Sequence, residues 1–491
     1  MGKPEIAIIG AGFGGLAAAI ELSRNGIDSY EVLERADEVG GAWRANTYPG
    51  AACDVPSAIY SYSFALEPDW SARFSTQPEI KDYLHRCADD YDVSSHIRFG
   101  TEVVAATFVD DRWQLEFQDG QRRTYDAVIT ATGLLSRPRI PELSGLETFS
   151  GVSFHSAEWN HDVDLSGKRV VVVGSGASAI QVVPEIVDDV AALTVVQRSP
   201  NWVMDRHNYG RSPRVRALLR RFPILPRLQH NLEFLWHDAR APLIYRRLDP
   251  LRAGMHLWMR MKIRRQIKDR ELRAAVTPNY LAACNRLLMS NDWFPALDRA
   301  HVNTYRQGID RVTEHGIELS DGTAVDADVI IWCTGFTPDE YLAPIDITGR
   351  DGRKLRTEWK AGPEAYLGVA VSGYPNFFML YGPGTVSSVN SVIFMLEKEA
   401  RYARMLVQRI AETGGWLDVR QDRQDEYNAD RQRRLATTVY AAGCPGWYAK
   451  DGKVFAPWPG SHTSFARATR TVDFTAFEHG GVRAAVARID S

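Results

Sequence analysis

Two segments of this 491-residue chain have the residue types and spacing needed to hold a pyrophosphate group. Each consists of a short β-branched run, a glycine-rich turn and an apolar helical stretch, over Glu5 to Ser23 and Arg169 to Ile186. In such a unit the glycines allow a tight turn, and the phosphates lie at the N-terminus of the helix, where unpaired N–H groups face them. The sequence therefore predicts two dinucleotide-binding units.

The first glycine motif fits the pattern Gly-x-Gly-x-x-Gly directly after a predicted strand. Gly10 permits the turn, Gly12 lets the backbone approach a pyrophosphate, and Gly15 allows close contact between helix and strand. About twenty residues further on, Glu34 ends the predicted second strand and is expected to accept hydrogen bonds from ribose hydroxyls. The segment that follows suits a loop wrapped around a flat ring system, with glycines, a planar aromatic and an acid: Gly40, Gly41, Ala42, Trp43, Cys53 and Asp54.

The second glycine motif ends in Ala179 instead of glycine, a replacement that the fingerprint tolerates. At the offset where the first unit has Glu34, this unit has Arg198. A carboxylate there would repel a ribose 2′-phosphate, whereas a guanidinium binds it in a bidentate manner. We therefore expect NADPH rather than NADH, with an added hydroxyl contact from Ser199; a purely structural Arg198 is the alternative.

Two dinucleotides in one chain usually imply hydride transfer from a nicotinamide to a flavin. The chain has no Cys-x-x-Cys pair, which argues against a disulfide reductase, a zinc site or a disulfide framework, and no metal is predicted. Dioxygen is the expected electron acceptor. The cysteines are few and scattered, as is typical of a reduced intracellular protein: Cys53, Cys87, Cys284, Cys333 and Cys444.

Composition limits the classes of partner. The net charge of −3 gives no reason to expect nucleic acid or an anionic membrane. No segment has the roughly 20 apolar residues of a membrane helix, and the N-terminal apolar run is too short for a signal peptide. We therefore expect a cytoplasmic protein that acts on a small molecule; its oligomeric state is not predicted.

Residues 206–276 differ in composition from the rest of the chain, because Arg and Lys outnumber Asp and Glu about threefold. Trp, Leu and Met recur there at helical spacing. The pattern predicts a helical insertion, with a solvated basic face over an apolar packing stripe. The alternative is a cap that shapes a substrate pocket and favours a phosphorylated cofactor.

Residues 149–159 match the pattern Phe-x-Gly-x-x-x-His-x-x-x-Trp. Together with the two glycine motifs, this sequence resembles type I Baeyer–Villiger monooxygenases, within the class B flavoprotein monooxygenases, and is most similar to the 4-hydroxyacetophenone monooxygenase-like branch. The resemblance covers nearly the whole chain and includes Trp43, the stretch ending at Asp54, and several further segments: 131–133, 333–336, 381–385, 443–447 and 458–460.

The resemblance implies FAD in the first unit, NADPH in the second, and oxidation of a ketone to an ester or lactone through a flavin peroxide. Arg286 matches the family's catalytic arginine, a cation that keeps the peroxide anionic and stabilises the adduct. Asp54 matches the acid that orients it. Two alternatives stay open: N- or S-oxygenation of a soft nucleophile by a flavin hydroperoxide, and a flavoprotein reductase or redox-responsive module in which oxygen is only a leak.

His155 and Trp159 are expected to couple the arrangement of the two units, with direct proton transfer by His155 as the alternative. Trp447 resembles a tryptophan near the nicotinamide cofactor, and an ordinary packed aromatic is its alternative. The expected FAD contacts are Gly10, Gly12, Phe13, Gly14, Gly15, Glu34, Arg35, Gly41, Ala42, Trp43, Asp54, Tyr60, Val103, Ala131, Thr132, Gly133 and Val392. The expected NADPH contacts are Gly174, Ser175, Gly176, Ala177, Ser178, Gln181, Arg198, Ser199 and Trp447.

The predicted fold class is α/β, with two Rossmann-like dinucleotide-binding domains and a helical insertion. The FAD domain is expected to combine both chain ends, residues 1–148 and 373–491. The NADPH domain is expected to comprise residues 149–205 and 277–372, on either side of the helical insertion at 206–276.

Overall fold

The computed structural model describes residues 3–245, 249–337, 340–387, 389–442, 448–450 and 452–481. Trp447 and Cys444 lie outside the described residues. The fold is α/β, as predicted, and its two largest sheets are both five-stranded and wholly parallel.

The first part of the chain alternates strands and helices, then forms an antiparallel meander. Its strands are β1 (Ile6–Ile9), β2 (Tyr30–Leu33), β3 (Ile97–Arg98), β4 (Val103–Val109), β5 (Arg112–Phe117), β6 (Arg122–Tyr125) and β7 (Ala127–Thr130). Its helices are α1 (Phe13–Ser23), α2 (Ala42–Ala45) and α3 (Gln77–Asp90).

The middle part contains the second parallel sheet and most of the helices. Its strands are β8 (Val152–His155), β9 (Arg169–Val173), β10 (Ala192–Val196), β11 (Val203–Met204), β12 (Leu288–Met289), β13 (Val302–Tyr305), β14 (Ile309–Thr313), β15 (Gly316–Leu319), β16 (Ala324–Asp326) and β17 (Val329–Trp332). Its helices are α4 (Ala179–Ile186), α5 (Pro213–Arg221), α6 (Ile224–Tyr245), α7 (Asp249–Gln266), α8 (Arg270–Val276) and α9 (Trp293–Leu297).

The last part returns to the first sheet. Its strands are β18 (Asp346–Thr348), β19 (Phe377–Met379), β20 (Trp416–Val419), β21 (Ala449–Lys450), β22 (Lys453–Val454) and β23 (Phe477–Gly480). Its helices are α10 (Leu355–Glu358), α11 (Val392–Thr413), α12 (Gln421–Leu435) and α13 (His462–Ala468).

The first sheet has the order β19-β7-β1-β2-β3. Every residue of β1 is buried, because α1 and α11 cover one face of the sheet and the meander covers the other. This double burial explains why the strand sequence is apolar throughout and does not alternate. The carboxyl ends of β1 and β2 lie side by side, so that Gly10 and Glu34 meet at one edge.

The second sheet has the order β13-β10-β9-β17-β8. Its register aligns the last residues of four strands, since Val196 pairs with Val173, Val173 with Trp332, and Trp332 with His155. The loop after β9, the segment after β10 and the end of β8 therefore share the carboxyl edge of this sheet. In open α/β sheets, this is the edge at which ligands bind.

The chain rejoins the antiparallel meander of the first unit earlier than the predicted boundary at 372/373. Strand β18 pairs with β4, and side chains from Tyr341 to Val371 pack into the same core as Trp113 and Phe377. The sequence contains no signal for this return, because β18 has only three residues and no apolar periodicity.

Within 206–276, the described residues 206–245 and 249–276 form helices α5 to α8 and the loop that precedes them. The expected apolar packing stripe is only partly present. Helix α6 has three buried residues, whereas most of its large apolar side chains are exposed. In α7, by contrast, Met259 and Ile263 are buried in core clusters. Apolar spacing on a helix identifies a face but does not identify what covers it, and this is why the predicted stripe is present in α7 and exposed in α6.

The cysteine prediction also needs a correction. Cys53, Cys87 and Cys333 are free thiols, but Cys284 is disulfide-bonded. Spacing along the chain does not reveal which sulfur atoms the fold brings together. No helix among the described residues is both long and apolar enough to cross a bilayer.

Candidate active site

The first glycine loop is closed so tightly that two of its positions exclude any side chain. A Cβ atom on Gly15 would lie 1.8 Å from the carbonyl oxygen of Gly10, and one on Gly10 would lie 2.8 Å from that of Ala131. Gly10 also has a φ of +103°. Helix α1 begins after Gly12 without a side-chain cap or an acid in its first turn. Its first N–H groups therefore remain available to an anion.

Glu34 lies at the end of β2 and faces this loop. Its Oε2 accepts the N–H of Ala11 at 2.6 Å, and its Oε1 accepts the N–H of Ala36 at 2.9 Å. These bonds hold the carboxylate against the turn. Because each oxygen has a second lone pair, the buried carboxylate is still able to accept a ribose hydroxyl.

An aromatic cluster stands beside the loop. Trp43 donates its indole N–H to the hydroxyl of Tyr60 at 3.0 Å, and the two rings pack edge to face with centroids 5.6 Å apart. Phe13 packs against Tyr60 in the same way, at 5.3 Å. Burial raises the pKa of Tyr60 well above its usual value, so the phenol stays protonated. The cluster forms a rigid apolar wall next to the phosphate-binding turn.

Arg286 and Asp54 form a two-bond ion pair between loops that are 232 residues apart in the chain. The Arg286 Nε donates to Asp54 Oδ2 at 2.8 Å, and its Nη2 donates to Oδ1. About a third of the Arg286 side chain remains exposed. Asp54 raises the pKa of Arg286 further, and burial opposes this shift. The guanidinium is therefore permanently charged, held in one orientation and accessible.

The second glycine loop resembles the first in its turn but is more open at its centre. Gly174 has a φ of +121°, and a Cβ there would lie 2.2 Å from the carbonyl oxygen of Cys333. Around Gly176 no atom lies within 4 Å of a built Cβ, and this leaves room for a ligand. The Ser175 hydroxyl donates to the carbonyl of Ser199 at 3.2 Å, joining this loop to the segment after β10.

Arg198 lies at the carboxyl edge of the second sheet, just beyond β10. Its side chain is exposed and forms no ion pair or hydrogen bond with any of the described residues. A surface guanidinium without a protein partner, two residues past the strand, is suited to a phosphate ligand.

Comparisons with known proteins decide the family. Residues 3–276 match the model of the flavin-binding monooxygenase-like family. The chain is 40% identical over 481 residues to a Baeyer-Villiger monooxygenase of Streptomyces coelicolor. The aligned region covers 96% of this chain and 92% of that protein. A Baeyer-Villiger monooxygenase of Pseudomonas aeruginosa is 40% identical over 488 residues, covering 96% and 91%. The protein belongs to the flavin-binding monooxygenase-like family.

Solved structures of similar proteins extend the likeness to the whole fold of this family member. The crystal structure of OTEMO in complex with FAD and NADP superposes with a TM-score of 0.88 at 27% identity, covering 97% of this chain and 99% of that one. Cyclohexanone monooxygenase from Rhodococcus sp. Phi1 bound to NADP⁺ gives a TM-score of 0.87 at 25% identity, covering 98% and 99%.

The family's His-Trp motif lies at the end of β8 in this member. His155 is buried, its Nδ1 accepts the N–H of Ala157 at 3.1 Å, and its ring packs edge to face with Phe336. Burial lowers its pKa to about 4, although a backbone contact at Gly335 opposes the shift. Trp159 packs edge to face with Phe154. A neutral imidazole in this position joins β8 to the loop after β17 and is poorly suited to donating a proton.

Other predicted contacts lie near the first loop or at its margins. Arg35 is exposed and donates to the carbonyl of Ser136 at 3.4 Å. Val103 is buried in β4, two residues after Thr101, whose N–H donates to the carbonyl of Glu34. Val392 is the first residue of α11 and packs against the core that α1 and α11 form with the first sheet.

Gln181, which is predicted to contact the cofactor, also forms hydrogen bonds with the first unit. Its Oε1 accepts the hydroxyl of Tyr48 at 3.0 Å, and its Nε2 donates to the carbonyl of Ala52 at 2.9 Å. A Cβ on Gly50 would lie 2.8 Å from the carbonyl oxygen of Gln181, so the loop touches α4 directly. Helix α4 of the second unit is thereby attached to the loop that carries Asp54.

Sequence reasoning missed Arg206 and Glu399. The Arg206 Nη2 donates to the carbonyl of Cys53 at 3.0 Å, which supports the loop next to Asp54. Glu399 is fully buried in α11 and accepts the N–H of Tyr381 at 2.7 Å. A basic composition and an acid in a helix are common features, and neither of them indicated a position in the fold.

Proposed function

We propose that this protein catalyses the Baeyer–Villiger oxidation of a small ketone to an ester or lactone, with NADPH and dioxygen as co-substrates and FAD as the flavin. Its membership of the family and its 40% identity with two Baeyer-Villiger monooxygenases support an NADPH-dependent flavoprotein monooxygenase. FAD and NADP are named with a structural neighbour whose fold matches over nearly the whole chain.

The residues of the first unit fit FAD. Gly15 and Gly10 leave no space for side chains, α1 offers uncapped N–H groups, and Glu34 is held ready for a ribose. The second unit fits NADPH, because Gly176 is open and Arg198 has no partner among the residues that the structure describes. When bound, the two groups supply reducing equivalents and the activation of dioxygen.

Arg286 is the residue to which we assign the key catalytic role. Attack on a ketone carbonyl places negative charge on its oxygen, and a fixed cation nearby stabilises that charge without reorganisation. Asp54 acts as a positioning residue, since its two bonds restrict the guanidinium to one orientation. The Arg286–Asp54 pair is the single observation on which the proposed function depends.

Substitution of Arg286 tests the proposal. In Arg286→Ala we expect the anaerobic reduction of bound flavin by NADPH to stay within about twofold of wild type, while ester formation falls about 100-fold or more. Stopped-flow absorbance gives the first rate, and product analysis with a panel of ketones gives the second.

Arg286→Lys serves as the matched control, because it keeps the charge but cannot form two parallel bonds to Asp54. We expect it to retain a small fraction of ester formation. If Arg286→Ala slows flavin reduction as much as ester formation, the assigned role is wrong. If wild type turns over sulfides or amines and no ketone, heteroatom oxygenation replaces the proposed reaction.

The domain arrangement and the cellular location are also proposals. An FAD domain built from both chain ends, with the NADPH domain inserted, is supported by the return of β19 to the sheet that contains β1. A cytoplasmic location stays a prediction from the sequence.

A further inference from the structure

Helix α6 carries large apolar side chains on its solvent side. Its apolar face consists of six residues, each between 50% and 67% exposed: Ile224, Leu228, Leu232, Leu235, Trp236 and Leu243. Their spacing places them on one side of the helix, opposite the buried residues Asp238, Ala241 and Tyr245. A helix that borders water normally has the reverse arrangement.

The neighbouring helices extend this surface. Of the twenty large apolar side chains that are exposed among the described residues, fourteen lie between Tyr209 and Met261. Val215, Leu218 and Phe222 contribute from α5 and its end. A cluster of this size exceeds the scattered apolar residues of an ordinary protein surface and indicates an interaction site.

The charged residues that precede Glu233 in the chain are all of one sign along a long stretch, and one of them, Arg220, pairs with Asp69. Between Asp205 and Glu233 the sequence has seven arginines and no carboxylate. Arg214, Arg221 and Arg227 are exposed and form no ion pair or hydrogen bond with the residues that the structure describes. Arg214 and Arg221 share one side of α5 with Leu218, at helical spacings of three and four.

Glu233, the first acid after this stretch, does not offset the positive charge. Its carboxylate is mostly buried and lies 3.3 Å from the guanidinium of Arg73. The chain as a whole has a net charge of −3. The excess positive charge is therefore local to the surface that is also the most apolar.

We propose that the apolar face of α6, with α5 beside it, docks on an anionic lipid surface. Apolar side chains next to exposed arginines suit the boundary between headgroups and acyl chains, where a helix lies in the plane of the membrane. Anionic headgroups complement the unpaired guanidinium groups. A second copy of the chain is the less favourable occupant, since two such surfaces would bring arginines against arginines.

Vesicle co-sedimentation of the FAD-loaded protein tests this inference. At about 0.1 M salt, we expect wild type to pellet with vesicles of equal parts phosphatidylcholine and phosphatidylglycerol at least fivefold more than with phosphatidylcholine alone. The double variant Leu232→Ser/Trp236→Ser should lose most of this binding. The triple variant Arg214→Gln/Arg221→Gln/Arg227→Gln should bind both kinds of vesicle equally weakly.

Phe474→Ser is the control, because Phe474 is also an exposed large apolar residue, lies outside α5 and α6, and should not affect pelleting. Bound-flavin absorbance and circular dichroism verify the fold of each variant. Wild type that pellets no more than in the absence of vesicles overturns the proposal, and so does equal binding to uncharged vesicles. Light scattering that shows a dimer in wild type and a monomer in the Leu232→Ser/Trp236→Ser variant would assign the face to a second copy.

Discussion

The least expected residue of the first unit is Glu399, because its carboxyl group lies in the apolar core. It is fully buried, and one oxygen accepts the N–H of Tyr381, while the other has no hydrogen-bond partner among the described residues. Burial raises the pKa of Glu399 from 4.5 to about 8. The side chain therefore stays protonated in the folded protein over a range in which the unfolded chain has already ionised.

This shift predicts a pH dependence of stability. Between pH 4.5 and 8 the folded state retains a proton that the unfolded state has lost, so the free energy of unfolding falls as the pH rises. Glu399→Gln removes the ionisable group at nearly the same volume. We expect the variant to gain stability over wild type across this range, reaching about 2–4 kcal/mol near pH 8.

Thermal unfolding of both proteins at pH 5, 6.5 and 8 measures the difference. Asp418, whose pKa burial raises to about 7, stays in both proteins, so its contribution cancels. A difference that is constant with pH would contradict the assigned ionisation.

A second single residue, Arg198, is expected to determine the preference for NADPH over NADH. Its guanidinium has no partner in the described part of the chain, and its replacement should cost ligand contacts and little stability. In Arg198→Ala we expect the KM for NADPH to rise about tenfold or more, with the KM for NADH nearly unchanged. Steady-state kinetics with both cofactors measure the two values. An unchanged ratio would remove the proposed 2′-phosphate contact.

At the scale of elements, the β1–turn–α1 unit depends on Gly15. A methyl group there would overlap the carbonyl oxygen of Gly10, and only a shift of α1 away from β1 relieves the clash. We expect Gly15→Ala to lose bound FAD on purification and to be destabilised by about 3 kcal/mol or more.

Gly254→Ala in α7 provides the control, because nothing lies within 4 Å of a Cβ there and alanine favours a helix. It should retain flavin and unfold at or slightly above the temperature of wild type. Flavin-to-protein absorbance ratios and melting curves report both properties. A Gly15→Ala protein with full flavin content would show that the turn is more adaptable than its geometry indicates.

At the scale of the whole molecule, Gln181 connects the two nucleotide-binding units. Hydrogen bonds between its side-chain amide and the residues Tyr48 and Ala52 attach α4 to the loop that leads to Asp54. We expect Gln181→Ala to slow hydride transfer from NADPH about fivefold or more, because the two units lose their fixed relative orientation. The dissociation constant of NADP⁺ should change little, because the residues that bind the cofactor remain.

Gln432→Ala is a suitable comparison, since Gln432 donates to the carbonyl of Val454 within the first unit. It should leave hydride transfer unchanged. Single-turnover reduction and NADP⁺ titration measure the rate and the affinity. A Gln181→Ala protein with weakened NADP⁺ binding and a normal transfer rate would identify Gln181 as a direct cofactor contact.

Features that depend on neighbouring residues were predictable from the sequence alone. The apolar strand, the glycine turn and the helix of each unit are contiguous, so their spacing identified both units and the α/β fold class, which the structure confirms. The difference between the two units at equivalent positions, Glu34 in the first and Arg198 in the second, is likewise a local feature, since each residue follows its strand at a similar offset.

Only the tertiary structure decided how distant segments meet. It joined Arg286 to Asp54 across 232 residues, directed Gln181 to Tyr48, buried Glu399 and left the apolar face of α6 exposed. Periodicity states which side of an element is apolar, but which surface covers that side depends on how the elements pack. For the same reason, sequence spacing failed to locate the return of the chain at β18 and the disulfide-bonded state of Cys284.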